Sequence, residues 1–147
     1  MSATNAFETA CLEHYFNNAD HANIGDAAGL QNSATAGSFY ISLHTADPGE
    51  TGTQTSSEAA YTGYARIAVA RSGAGWTVSG NGASNAAEIA FGQATGGTIA
   101  NITHVGCGTD LSGAGNLLFS LVLDDVIPGT VGMQPIFSVG ELEFTAD

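Results

Sequence analysis

The sequence contains no lysine. Its fixed positive charges are Arg66 and Arg71, set against 14 acidic residues, for a net charge of −12 at pH 7. That imbalance excludes partners that demand cations. A nucleic-acid binder displaces counterions with a positive footprint, and two arginines cannot supply one. An anionic membrane surface is excluded by the same sign argument. A P-loop is excluded because it needs a lysine on the phosphates. Charge of either sign is scarce, at 11% of residues against an average of about 25%. The polar surface must therefore be built from hydroxyls, amides and backbone.

Other absences narrow the chemistry. The cysteines are Cys11 and Cys107, far apart in sequence. A chain of this length buries enough core to fold without a staple, so both read as small apolar side chains, with a disulfide as the lesser alternative. No apolar run approaches the roughly 18 residues of a membrane span. The opening Met1-Ser2-Ala3-Thr4-Asn5 lacks the basic and apolar stretches of a secretory signal, so none is expected. No Gly-x-Ser-x-Gly elbow occurs, and Ser112, in Asp110-Leu111-Ser112-Gly113, does not make one. No His-Glu-x-x-His or paired Cys-x-x-Cys occurs either. Asp47-Pro48-Gly49-Glu50 and Asp124-Asp125 lack the alternating oxygen ligands of an EF-hand, which leaves calcium at a subunit contact as a minor alternative. Glu141 and Glu143 share one side of a strand and read as a solvated face rather than a glycosidase pair. His44 and His104 lie in predicted strands, able to meet across a sheet, and are expected to face solvent or a partner. The expectation is no enzyme, no metal and no cofactor.

What is present points to a turn-rich β protein. Glycine accounts for 20 of 147 residues, about twice its usual share. Apolar residues make up 44%, enough for a core. One segment has a helical period. Phe7, Cys11 and Tyr15 recur every four residues, and Leu12, Phe16 and Ala19 extend the stripe, with Thr4 or Asn5 as cap. This predicts a helix over 5–19. Residues 20–38 read as an ordered loop with one helical turn near Gly25–Leu30.

From residue 39 the period becomes two. Phe39, Ile41 and Leu43 alternate with polar neighbours, and Asp47-Pro48-Gly49 makes a turn. Further strands are expected over Tyr64–Ala70, Trp76–Val78, Ile89–Phe91, Ile99–Cys107, Val131–Met133, Ile136–Val139 and Leu142–Phe144. The continuous apolar run Leu117–Leu123 suits a central strand buried on both faces. Thr51–Ser57 carries no apolar residue and reads as a surface loop. The fold class is mainly β: an antiparallel sandwich or barrel, jelly-roll-like, with one N-terminal helix. Neither a repeat nor a linker is visible, so residues 1–147 form one domain: helix 1–19, loop 20–38 and β body 39–147.

The order of these pieces resembles a known group. Phe39-Tyr40-Ile41-Ser42-Leu43-His44-Thr45-Ala46-Asp47-Pro48-Gly49 is followed by Gly63-Tyr64-Ala65-Arg66-Ile67-Ala68-Val69. Then come Asn85-Ala86-Ala87-Glu88-Ile89-Ala90-Phe91, Ile102-Thr103-His104-Val105-Gly106 and Gly115-Asn116-Leu117-Leu118-Phe119. Together they resemble small structural proteins of tailed bacteriophages, labelled head decoration or tail fibre proteins. The resemblance spans about residues 39–145 and, more loosely, the leading helix. It implies a virion component without catalytic residues, made in the host cytoplasm. It further implies a homo-oligomer, with a trimer favoured, bound to the major capsid protein or other virion proteins. Capsid decoration, as a cement on the outer head surface, is the first expectation, since a subunit that binds the assembled lattice stabilises it by mass action. A tail-fibre, tail-tip or baseplate part is the alternative. A carbohydrate-binding β-sandwich using Trp76, Tyr61 and Tyr64 is the third reading. The adhesive surface is expected at the helix and the loop Asp47–Tyr61, with Phe7, Tyr15, Tyr61, Tyr64, Arg66 and Arg71 as interface residues; for the two arginines intramolecular pairing with carboxylates is the first reading and a subunit or partner contact the alternative.

Overall fold

A computed structural model describes residues 2–146. The chain is mainly β, antiparallel throughout its registered sheets, with one N-terminal helix, in agreement with the sandwich class expected. Its contacts gather into two compact units, each discontinuous in sequence. Unit one comprises Met1–Ser38, Ala70–Glu88 and Phe137–Asp147; unit two comprises Phe39–Val69 and Ile89–Ile136. Unit one thus joins the predicted helix and loop to two stretches of the predicted β body.

In unit one, α1 (Asn5–Phe16) packs with an antiparallel sheet of β4 (Trp76–Ser79), β5 (Gly82–Asn85) and β11 (Glu143–Thr145), in the order β11-β5-β4. Thr4 caps the helix, its hydroxyl accepting from the Phe7 amide. The helix ends at Phe16 rather than Ala19. Asn18 adopts a left-handed φ of 54°, a conformation that closes helices, and its carboxamide is bonded to the Ser33 backbone through both its nitrogen and its oxygen. The buried seam of the helix is Leu12 and Phe16, whereas Phe7 and Tyr15 face solvent. Phe16 meets Trp76 edge-on at 4.7 Å and stacks with Phe144 at 6.0 Å. The helical turn expected near Gly25–Leu30 is absent. Asp26 instead accepts from the Ala28 and Gly29 amides, an Asx turn that replaces it.

Strand β5, Gly-Ala-Ser-Asn, has no large side chain and escapes sequence patterning. It is specified by neighbours. The buried Asn85 accepts from the Leu142 amide and donates to the Ala87 and Ser138 carbonyls. A Cβ on Gly82 would collide with the Glu143 side chain.

Unit two is organised on a sheet of order β3-β1-β8-β9, comprising β1 (Ser38–His44), β3 (Ile67–Ala70), β8 (Ile102–Gly108) and β9 (Leu117–Ile127). A ribbon of β2 (Ala60–Thr62) and β7 (Gly96–Thr98) and the short β6 (Ile89–Ala90) complete the unit, while β10 (Ile136–Phe137) straddles the boundary. The strand expected over Val131–Met133 is a turn, with Gly132 at φ 93°. Ile41, Leu43, Ile102 and Val105 are fully buried and form the centre of the sheet. The run Leu117–Leu123 is a correction to the sequence reading: it lies in β9, at an edge of this sheet, and is not buried on both faces.

Candidate functional site

The edge position of β9 leaves apolar side chains uncovered. A strand alternates its side chains between faces. Leu117, Phe119, Leu121 and Leu123 are half-buried, while Leu118, Ser120, Val122 and Asp124 alternate with them and are exposed. Val122 is 63% exposed and Leu118 42%. On its inner side β9 pairs with β8 through Val122↔His104, Leu121↔Val105 and Ser120↔Gly106. Among the described residues, no strand pairs with its outer edge. Beside this face lies an open groove of about 480 Å³, lined by Asp47 and Glu50 as well as His104, Leu118 and Val122. Both acids are exposed, and the turn that carries them is held by an Asp47 carboxylate accepting from the Gly49 amide.

The rest of the 47–61 segment is anchored by the buried Gln54, Ala59 and Tyr61, while Thr51, Thr55, Ser57 and Ala60 are exposed. Gln54 is fully buried, accepting from the Asp110 amide at 2.9 Å and donating to the Tyr40 carbonyl. Tyr61 is 3% exposed and donates to the Gly92 carbonyl. Tyr64 is half-buried, stacked on Phe91 at 6.1 Å, and donates to Glu58 at 2.8 Å. Burial pushes its phenol pKa well up. Arg66 is buried and engages Glu58 through two bonds, Nε to Oε1 at 2.7 Å and Nη2 to Oε2 at 2.8 Å. It also donates to the Asp110 and Gly113 carbonyls. Hydrogen bonding to Glu58 holds its pKa above the usual arginine value, so the cation is permanent. In unit one, Arg71 donates to the His14, Tyr15 and Ala36 carbonyls, a cation placed at the end of α1 where the helix dipole is negative. Of the six residues singled out from the sequence, Phe7 and Tyr15 are about half exposed; Tyr61, Tyr64 and Arg66 are tied into unit two. Leu118 and Val122, whose run signalled burial, are instead exposed.

His44 does not face solvent or a partner, as its strand position suggested: it is fully buried, directly opposite His104 in the β1–β8 register. Its Nδ1 lies 2.8 Å from the Ser56 carbonyl, which can only accept. Nδ1 therefore carries the proton, and the Ser42 hydroxyl donates to Nε2 at 2.8 Å. Gly106 seals the pair, since a Cβ there would lie 2.5 Å from His44 Nε2 and 2.6 Å from Ser42 Oγ. Burial lowers the His44 pKa, with the Ser56 carbonyl and Glu58 opposing and Arg66 and His104 assisting.

A pH dependence follows. The folded pKa lies below the unfolded value near 6.5, so the unfolded chain takes up the proton first as pH falls. Stability is full above that value and declines below it until the folded group also titrates. Urea midpoints of the β signal in circular dichroism should therefore fall between pH 7.5 and 5.5, and fall less in His44→Gln. Equal declines in both proteins would assign the effect to other groups.

Cys107 is fully buried, and burial pushes its thiol pKa up; Cys11 is partly accessible, and neither is in a disulfide. Among the described residues, no cluster of three His, Cys, Asp or Glu side chains could hold a metal ion.

None of the curated proteins matches the chain. A family model described as podophage GP4 fiber I protein gp80 matches residues 2–145. The match covers the helix, both units and the β9 edge, and it accords with the resemblance carried by the Phe39–Gly49 and Gly63–Val69 blocks. The chain therefore belongs to the podophage GP4 fiber I protein gp80 family and is a tailed-phage structural protein, a component of the virion.

Proposed function

We propose that the protein is a fibre part of the phage tail and acts by binding, without catalysis. The observation that carries this reading is the family match across residues 2–145, whose description is a fibre protein. It favours the tail alternative over capsid cement, which the sequence resemblance had placed first. The exposed β9 face supports a binding role, because apolar surface on a long edge strand marks an interaction site. The Ser42–His44 pair offers no open nucleophile, since both residues are fully buried. The third reading, a sugar-binding platform, loses support because Trp76 and Tyr61 are buried.

The test is imaging of particles at subunit resolution with antibody labelling of this chain. Label confined to the tail in low copy number is the expected result. Label spread over the head lattice would overturn the proposal in favour of cement.

A further inference from the structure

We propose that the β9 edge and its groove are a docking site for an extended segment of a different polypeptide, with apolar side chains at alternate positions and Lys or Arg opposite the Asp47–Glu50 turn. This rests on the reading of the chain as a virion binding part and names the chemistry of its partner.

Three observations carry it. First, β9 is 11 residues long, about twice the usual strand length. Its seven-residue stretch Leu117–Leu123 has no charge and no proline. Natural sheets blunt such edges with Lys, Pro or short length. Neither lysine nor proline is present along Leu117–Leu123, and among the described residues no strand pairs with its outer edge, which suits strand addition even with the register shift against β8 at Cys107/Gly108. Second, Leu118 and Val122 line a groove of about 480 Å³ together with Leu117, Phe119 and His104, an apolar surface on which side chains of a bound segment can seat. Third, the rim is acidic. Asp47 and Glu50 both line the groove and are exposed, so the complementary partner is basic.

Charge also decides against a second copy as occupant. The chain has no lysine. Arg66 is held inside by Glu58 and two carbonyls, and Arg71 by three carbonyls. A second copy carries the same net −12 and only these two engaged arginines to set against the acidic rim. Like charges at a contact are repulsive, so the strand must come from another protein.

The experiment uses the purified full chain and two short peptides: one alternating valine with lysine, the other valine with glutamate. Fluorescence anisotropy should show the lysine peptide binding, more weakly as salt rises, and the glutamate peptide not binding. Asp47→Asn with Glu50→Gln should weaken the lysine peptide by about tenfold. Glu8→Gln with Glu88→Gln, an equal charge change elsewhere, should leave it within about twofold. Val122→Glu should abolish binding. Because Val122 is 63% exposed, an unchanged melting curve is expected and certifies its fold. Equal binding of both peptides, binding of neither, or equal effects of the two carboxylate pairs would overturn the proposal. Self-association in sedimentation that Val122→Glu abolishes would overturn it in favour of a second copy. These readouts do not depend on where the chain sits in the particle, so tail placement and the docking proposal fail separately.

Discussion

Replacing Arg66 with methionine should lower unfolding stability by about 3 kcal/mol, among the largest effects of any single charge change in this chain. The guanidinium makes four bonds, two to the Glu58 carboxylate and one each to the Asp110 and Gly113 carbonyls. Methionine fills much of the same volume but supplies no donor. The Glu58 carboxylate, whose side chain is 16% exposed, then loses its counter-charge and keeps one donor, the Tyr64 hydroxyl. An uncompensated buried charge dominates the cost, so the double variant Glu58→Leu with Arg66→Met should recover much of it. Denaturant titrations of the wild type, both single variants and the double variant form the cycle that isolates the pair. Additive single effects would show that the pair is not coupled. Arg66→Lys should restore little, because a point charge cannot span two carboxylate oxygens and two carbonyls at once.

That network shows where sequence reasoning stopped. Composition identified the two arginines as the chain's fixed cations and asked for their partners. It could not select Glu58 among 14 acidic residues, because the selection depends on the 56–61 segment folding back on β1. The sequence pattern put His44 and His104 on strands that could meet across a sheet, and the register pairs them. The burial of His44 was not legible, since alternation alone does not say which face of a sheet is covered. β1 was readable because three large apolar residues recur with period two. β5 was invisible because Gly, Ala, Ser and Asn carry no periodic signal, and its place is fixed by Asn85 and Glu143. β9 was misread for the opposite reason. A continuous apolar run is the signature of burial on both faces, yet here one row stays exposed. The disagreement between pattern and burial is what singles out the docking edge. Local rules fail where a surface is kept for a partner.

Truncating Phe16 to alanine should cost about 3–5 kcal/mol and release α1 from unit one. The helix has 12 residues, a length that is marginal in water even for favourable sequences. Its cap at Thr4 contributes about 1 kcal/mol, which does not hold a helix of this length by itself. Tertiary packing supplies the rest, and it is concentrated in two side chains, Leu12 at 2% exposure and Phe16 at 0%. Phe16 makes the larger contribution, because its ring contacts both Trp76 and Phe144, which also meet each other edge-on at 6.0 Å. Removing it opens a cavity against two aromatic faces that the β4–β5–β11 sheet cannot close. The loss should be local before it is global. Hydrogen exchange should show amides of residues 7–16 losing protection while those of β1 and β8 keep most of theirs, since the latter belong to unit two. The melting transition should drop, and the ellipticity at the helix minimum should fall at temperatures where β signal persists. Tyr15→Ala is the control: its ring is 52% exposed, and the loss should stay below about 1 kcal/mol. If both variants melt alike and protection falls uniformly, the helix is not an independently docked element and its stability derives from the whole chain.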